Sequence, residues 1–350
     1  MKSARTTKSR DSRHAQSVAA HAAYHIVLAT FVLAECVQAV IVQRGLIWIA
    51  VPLVVITAHL MHGLTVAFHE AVHGLLWRNR FLNDLDGINI GIFSLTSLSL
   101  FRCVHGAHHA HFTTERDDEL WPFVRTGAPR WARRLAAFLE LTTSLAYSQF
   151  LLLRAFLRPD SAIKNPKVRR RIWMELILVA VVWTGILVAV AHWQVWKYFL
   201  WMYLAPAYLA ANLHTWRKFI EHMGLTGSTV KSATRSVVDL GWMGRLISFT
   251  LLNEPYHGIH HLRPSLRQGD VPQNVAMLDP AASGDLPPFP SYWLALQDML
   301  RSLGDPRVGA QWRGVVTSGK QCDVEQQARS MGPSHPANVG RSASEPSMKV

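Results

Sequence analysis

Residues 68–74 read FHEAVHG, and His69, Glu70 and His73 within them form His-Glu-x-x-His. Residues four apart share one face of a helix, so the two imidazoles can bind a metal ion while the Glu activates water, as in zinc peptidases. Further on, RCVHGAHHAHFTTERDDE carries His105, His108 and His109, with His111 close by, and NEPYHGIHHLRP carries His257, His260 and His261. Both read His-x-x-His-His, a spacing that presents three imidazoles on one side of a helix. His222, in WRKFIEHMG, stands alone. Two, three, three and one make nine imidazoles, whereas zinc in a peptidase takes three protein ligands and keeps one position for water. Nine suit two metal ions, each with four or five nitrogen ligands and a position open to oxygen. Imidazole binds iron, copper, nickel and zinc, so these ligands alone do not name the metal.

Not every one of the 18 His belongs to this pattern. His59 and His62 lie inside an apolar stretch and read as packing or lining residues, and His214, eight residues before His222, is a reserve ligand. His14, His21, His25, His192 and His335 have no partners in the sequence. Glu70, Asp117, Asp118 and Glu254 adjoin the His groups and are candidates for accepting hydrogen bonds from the outward imidazole N–H groups. A solvated loop or a helix cap accounts equally well for Asp117, Asp118 and Glu119, and Arg217 and Glu221 are spaced to pair on one helix. No catalytic side chain is expected beyond the metal centre.

The elements that must hold these residues are apolar. Hydrophobic residues make up 49% of the 350-residue chain, charged ones only 17%, and there are 13 Trp, a balance that indicates a membrane protein. Residues 24–42, 45–68, 176–196 and 198–216 are each long enough to cross a ~30 Å hydrocarbon layer, which takes about 20 helical residues, and Glu35 is the single acidic or basic residue among them. Three weaker stretches, 87–101, 135–153 and 236–252, read as interfacial or re-entrant helices. The middle one has Arg130, Arg133 and Arg134 before it and Arg154, Arg158 and KVRRR after it, so both of its ends are expected in the cytosol.

Residues 78–171 hold 15 Lys and Arg and the first 13 residues hold five more, against Arg44 and Lys197 alone in the two short hairpin loops. That asymmetry predicts both termini and the His groups on the cytosolic side of a multi-pass, all-α integral membrane protein with four spans in two hairpins. The net charge of +13 is then a topology signal and an attraction to anionic membrane lipid. Nucleic acid is excluded as a partner, because the basic residues border spans and form no separate domain. The basic start followed by an apolar stretch of spanning length reads as an anchor, not as a cleaved signal. Cys36, Cys103 and Cys322 are too scattered for a disulfide framework or a thiolate metal site. The expected organisation is a basic cytosolic segment over 1–22, a membrane domain over 23–265, a peripheral segment over 266–312 with an amphipathic stretch at 291–304, and a disordered tail over 313–350.

The three His groups, their order, the two-span gap between the second and third, and the phrase HGAHHAHFTTERDDE resemble the membrane-bound fatty acid desaturases and related lipid and carotenoid hydroxylases, over roughly residues 45–265. That resemblance implies two iron ions that activate dioxygen against an unactivated C–H bond of a lipid chain. It implies His69, His73, His105, His108, His109, His257, His260 and His261 as ligands, with His222, placed between the second and third groups, as the ninth. The family's water-bridged Asn ligand has no clear counterpart: Lys218 stands one turn before His222, leaving Asn212 or Asn253 as candidates.

An acyl-chain or lipid substrate is implied, and desaturation is the expected reaction, with hydroxylation of a lipid, carotenoid or alkane as the alternative. No Gly-rich nucleotide fingerprint follows a strand, and His335 alone cannot supply the axial ligands of a fused haem module. A separate electron carrier of ferredoxin, rubredoxin or cytochrome b5 type is therefore expected. A zinc intramembrane peptidase, drawing an acidic third ligand from LNDLDG at 82–87, is the distant alternative, and it leaves seven clustered His unused.

Overall fold

Two glycines punctuate the first helices. Helix α1 (Ala4–Gln43) turns back into α2 (Ile47–His73) at Gly45, whose φ of +72° lets the Leu46 N–H donate to the Ile41 carbonyl. Gly74, with φ +73°, ends α2 in the same manner, as the N–H groups of Gly74 and Leu75 donate to the carbonyls of Ala71 and Glu70. The helix therefore stops directly after His73 and leaves both His69 and His73 in its last two turns. This structure is a computed structural model that describes residues 4–314, with side chains from residue 22. The tail expected beyond residue 314 and the side chains of the basic start lie outside the described residues.

Asn79 caps α3 (Arg80–Phe93) by accepting from the N–H groups of Phe81 and Leu82, and α4 (Leu98–Ala110) leaves it at a bend of 99°. The start of α4 is held by a carboxylate from α6 (Pro166–His192): Glu175 accepts from Ser97 Oγ at 2.6 Å, Ser99 N–H at 2.8 Å and Ser99 Oγ at 2.6 Å. Because Glu175 is buried, Glu175→Ala leaves these donors unmatched and is expected to cost about 1.5–3 kcal/mol, the range for hydrogen bonds to a charged group. Thermal unfolding in detergent measures this, and an unchanged midpoint would refute the role.

Helix α5 (Arg130–Leu157) breaks its helical geometry at Thr143. Side chains from α8 (Ala205–His222) take up the carbonyls this frees: Trp216 Nε1 donates to the Leu141 carbonyl at 3.2 Å, and Tyr208 Oη donates to that of Thr142 at 2.5 Å. Asn212 Nδ2 donates to the Thr142 carbonyl at 3.4 Å, while its Oδ1 accepts from the Ser144 N–H at 3.1 Å. Short α7 (Trp196–Tyr198) runs through a π-helical segment, Phe199–Leu204, into α8 (Ala205–His222). After it come α9 (Val230–Ala233), α10 (Trp242–Thr250), α11 (His257–Leu262), a 3-10 segment Gln268–Leu278 and α12 (Tyr292–Leu300). No strand occurs among the described residues, and α2 is central, packing against α1, α3, α4 and α8.

The fold is the all-α integral membrane architecture expected from composition. Among the described residues, four helical segments are long and apolar enough to cross a bilayer: Ala22–Gln43, Ile47–His73, Arg130–Leu157 and Pro166–His192. Helix α6 exposes Ile177, Val181 and Val188, as a helix facing hydrocarbon does. Two details differ from expectation. Residues 135–153, read as interfacial, are the middle of a 28-residue helix of spanning length. Residues 198–216, read as a span, belong to a run interrupted by the π segment and continued to His222 through Arg217, Lys218 and Glu221. Those three charges dilute the apolar character at its C-terminal end.

Candidate metal centre

The end of α2, the second half of α4, the end of α8 and the whole of α11 meet, and each brings its His group. His69, His73, His105, His109 and His260 form one cluster whose ligand atoms all lie within 4.8 Å of one another. His105 Nε2 is 2.8 Å from that of His69 and 3.0 Å from those of His73 and His109, and His109 Nε2 is 2.9 Å from that of His260. Beside it, His108, His222, His257 and His261 make a second group. His257 Nε2 lies 2.8 Å from His222 Nε2 and 3.0 Å from His261 Nε2, and His108 Nε2 is 3.4 Å from His261 Nε2. The rings of His109 and His261, one from each group, are 4.6 Å apart between centroids.

Helix geometry explains the partition. In each His-x-x-His-His the first and last residues are four apart and nearly eclipsed, while the fourth residue of the motif lies about 100° from the fifth around the axis. Accordingly His105 and His109 face the first cluster and His108 the second, while His257 and His261 face the second and His260 the first. Each motif thus divides its rings between the two clusters, where the spacing had been read as one shared face.

Carboxylates orient the rings from behind. Asp117 lies 2.8 Å from His108 Nδ1 and Glu119 2.8 Å from His105 Nδ1. Glu254 Oε1 lies 3.1 Å from His257 Nδ1, and its Oε2 is 3.5 Å from His69 Nδ1. Burial raises the carboxyl pKa of Glu119, but the His105 and His108 rings outweigh it and hold the group well below the usual range. Glu254 behaves likewise, with His69 and Arg217 outweighing its burial. An ionised carboxylate accepts a hydrogen bond from Nδ1–H, which leaves the Nε2 lone pair of that ring pointing inward. Imidazole nitrogens thus gather in two groups, five rings in one cluster and four in the other. The donor set therefore fits metal ions, two in number.

Two candidates do other things. Asp118 bonds no imidazole: it pairs with Arg158 at 2.8 Å and lies 3.7 Å from Arg154, because it faces α5 from the opposite side of the turn to Asp117. Glu70 is buried with an unpartnered Oε2 and hydrogen-bonds no imidazole, although one of its carboxylate oxygens lies within 4.8 Å of ligand atoms of His69 and Glu254. Sequence reasoning did not single out Glu119 as a partner, and nothing periodic marks it in an irregular segment. Phe112, whose ring lies 4.3 Å from that of His261, and Phe101, stacked 5.4 Å from His105, were not anticipated either. Asn212 is taken up at the α5 kink, and Asn253 Nδ2 donates to the Gln268 carbonyl at 2.9 Å. Arg217 and Glu221 do pair, at 2.6 Å, and Lys218 pairs with Glu140.

The acidic residues a peptidase would need are engaged elsewhere. Asp84 bonds Arg102 and Arg171 at 2.9 and 2.8 Å, and Asp86 accepts from Trp77 Nε1 at 2.6 Å and Tyr24 Oη at 3.2 Å. A cavity of about 140 Å³ adjoins the clusters between α2, α4, α5 and α8, lined among others by Phe68, Phe101, Val104, Glu119 and Lys218. The family model described as fatty acid desaturase matches residues 46–293, a span that contains all nine clustered His. No curated protein matches the chain. With four helices of spanning character among the described residues and nine clustered His inside the matched span, the chain belongs to the fatty acid desaturase family, membrane oxidoreductases that act on lipid chains.

Proposed function

We propose that the chain is a di-iron oxidoreductase that uses dioxygen and electrons from a separate carrier to desaturate an acyl chain of a fatty acid or lipid. The observation that carries this reading is the pair of adjoining all-nitrogen clusters beside a cavity between membrane helices. His69, His73, His105, His109 and His260 would hold one iron, and His108, His222, His257 and His261 the other. Bound there, the iron pair supplies the activation of dioxygen that attack on an unactivated C–H bond requires.

The chain's own residues supply position and exclusion. Asp117, Glu119 and Glu254 accept hydrogen bonds from Nδ1 of His108, His105 and His257, which would turn the Nε2 atom of each of these three rings toward a metal ion. Phe101 and Phe112 cover ring faces and keep water from the flanks of the clusters. The cavity walled by α2, α5 and α8 would receive part of the substrate chain beside the clusters. The charge asymmetry supports an active site and both termini on the cytosolic side, where a ferredoxin, rubredoxin or cytochrome b5 type carrier would dock. The membrane domain over 23–265 would carry the chemistry, with 266–312 as a peripheral cover.

Loss of a second hydrogen gives an alkene, whereas transfer of oxygen gives an alcohol. Expression in a host of known lipid profile, followed by mass spectrometry of the lipids, is expected to yield species lighter by a pair of hydrogens. A gain of oxygen instead would make the chain a hydroxylase, and unaltered lipids in iron-replete membranes would overturn the proposal.

A further inference from the structure

The cavity beside the clusters has more polar groups on its walls than an alkyl chain can use. Some satisfy each other: Thr65 Oγ1 donates to the Met61 carbonyl at 2.8 Å, Thr96 Oγ1 to Gln149 Oε1 at 3.1 Å, and Gln149 Nε2 to the Ser94 carbonyl at 3.1 Å. Others do not. Nδ1 of His214, a wall residue on α8, is buried without a hydrogen-bond partner. Nε2 of His62 on α2 is likewise buried and unpartnered, and its ring stands edge-on to that of His214 with centroids 5.6 Å apart. Ser148 and Thr215 line the same cavity, and no described residue hydrogen-bonds to either hydroxyl. These groups are outside the metal clusters, since His214 precedes His222 by eight residues, roughly 12 Å of helix.

An unsubstituted alkyl chain filling this space would lie against Ser148 and Thr215 without pairing their hydroxyls, and would leave His214 Nδ1 unpartnered. A site built to hydrogen-bond a substrate hydroxyl rejects the analogue lacking it for this reason. Imidazole, Ser and Thr can each donate and accept, so a hydroxyl, which does both, uses the set most fully. We propose that the cavity takes a chain bearing a hydroxyl several carbons from the reacting carbon, with His214 as the principal hydrogen-bonding residue and Ser148 and Thr215 as supports. The inference rests on the clusters being the reacting centre, and it names the substrate class of that site.

The test reads binding. Iron-loaded, full-length protein in lipid nanodiscs is titrated calorimetrically with octadecanoate and with monohydroxyoctadecanoates whose hydroxyl is moved along the chain. One isomer, or a few adjacent ones, is expected to bind about tenfold tighter than octadecanoate, the equivalent of one well-made hydrogen bond. His214→Leu should abolish that preference, weakening the favoured isomer and tightening octadecanoate, and Ser148→Ala should reduce the preference in part. If octadecanoate binds as tightly as every isomer, or if both variants weaken both probes alike, the inference fails and the proposed function stands. If no chain binds the iron-loaded protein, both fail.

Discussion

His105→Ala is expected to strip one iron per chain and to reduce lipid conversion to background. Its Nε2 is within 3.0 Å of the corresponding atoms of His69, His73 and His109, more neighbours than any other ring in the centre has. Loss of a residue that merely orients a ligand typically lowers metal affinity about 10–100-fold, so removal of the ligand itself should exceed that. The second cluster keeps His108, His222, His257 and His261, all contributed from outside the deleted ring. Metal analysis should therefore give about half the iron of the parent protein, with helix content by circular dichroism unchanged. Parent-level iron in the variant, or a single zinc in the parent, would sink the two-cluster assignment.

Glu254→Ala should act differently, lowering occupancy of both clusters in parallel. Its carboxylate is buried, accepts from Arg217 Nη1 at 3.0 Å, lies 3.1 Å from His257 Nδ1 in one cluster and 3.5 Å from His69 Nδ1 in the other. Removing one partner of a buried charge pair costs about 3–5 kcal/mol when the other charge is left alone. Arg217 is not left alone, because Glu221 binds the same Nη1 through both oxygens at 2.6 and 2.8 Å. The stability loss should therefore fall nearer the ~1.5–3 kcal/mol of a charge-assisted hydrogen bond. The functional loss should be larger, since two imidazoles lose the acceptor that fixes their Nδ1 protons. Iron affinity is expected to fall about 10–100-fold at both sites together. Measured by competition with a chelator, retention of one tight and one weak site would argue against the bridging role.

Much of this protein follows from local sequence rules. Apolar stretches of spanning length mark α1, α2 and α6 as membrane helices, because a helix in hydrocarbon needs an unbroken apolar surface whatever its neighbours are. Gly74 and the two His-x-x-His-His motifs are equally local, since a glycine stop and a fourfold spacing act within one or two turns. What no local rule contains is the identity of a partner from another element. The division of each motif between clusters, Glu119 behind His105 where Asp118 turns to Arg158, and the use of Asn212 at the α5 kink all depend on how the helices are docked. Side chains one or two residues apart, equivalent in type and spacing, meet different neighbours once packing sets the distances. The sequence by itself determined a helical membrane protein with nine clustered imidazoles. Only tertiary packing decided which nitrogens share a site, because hydrogen-bond and ligand distances of about 3 Å are set between helices and not along them.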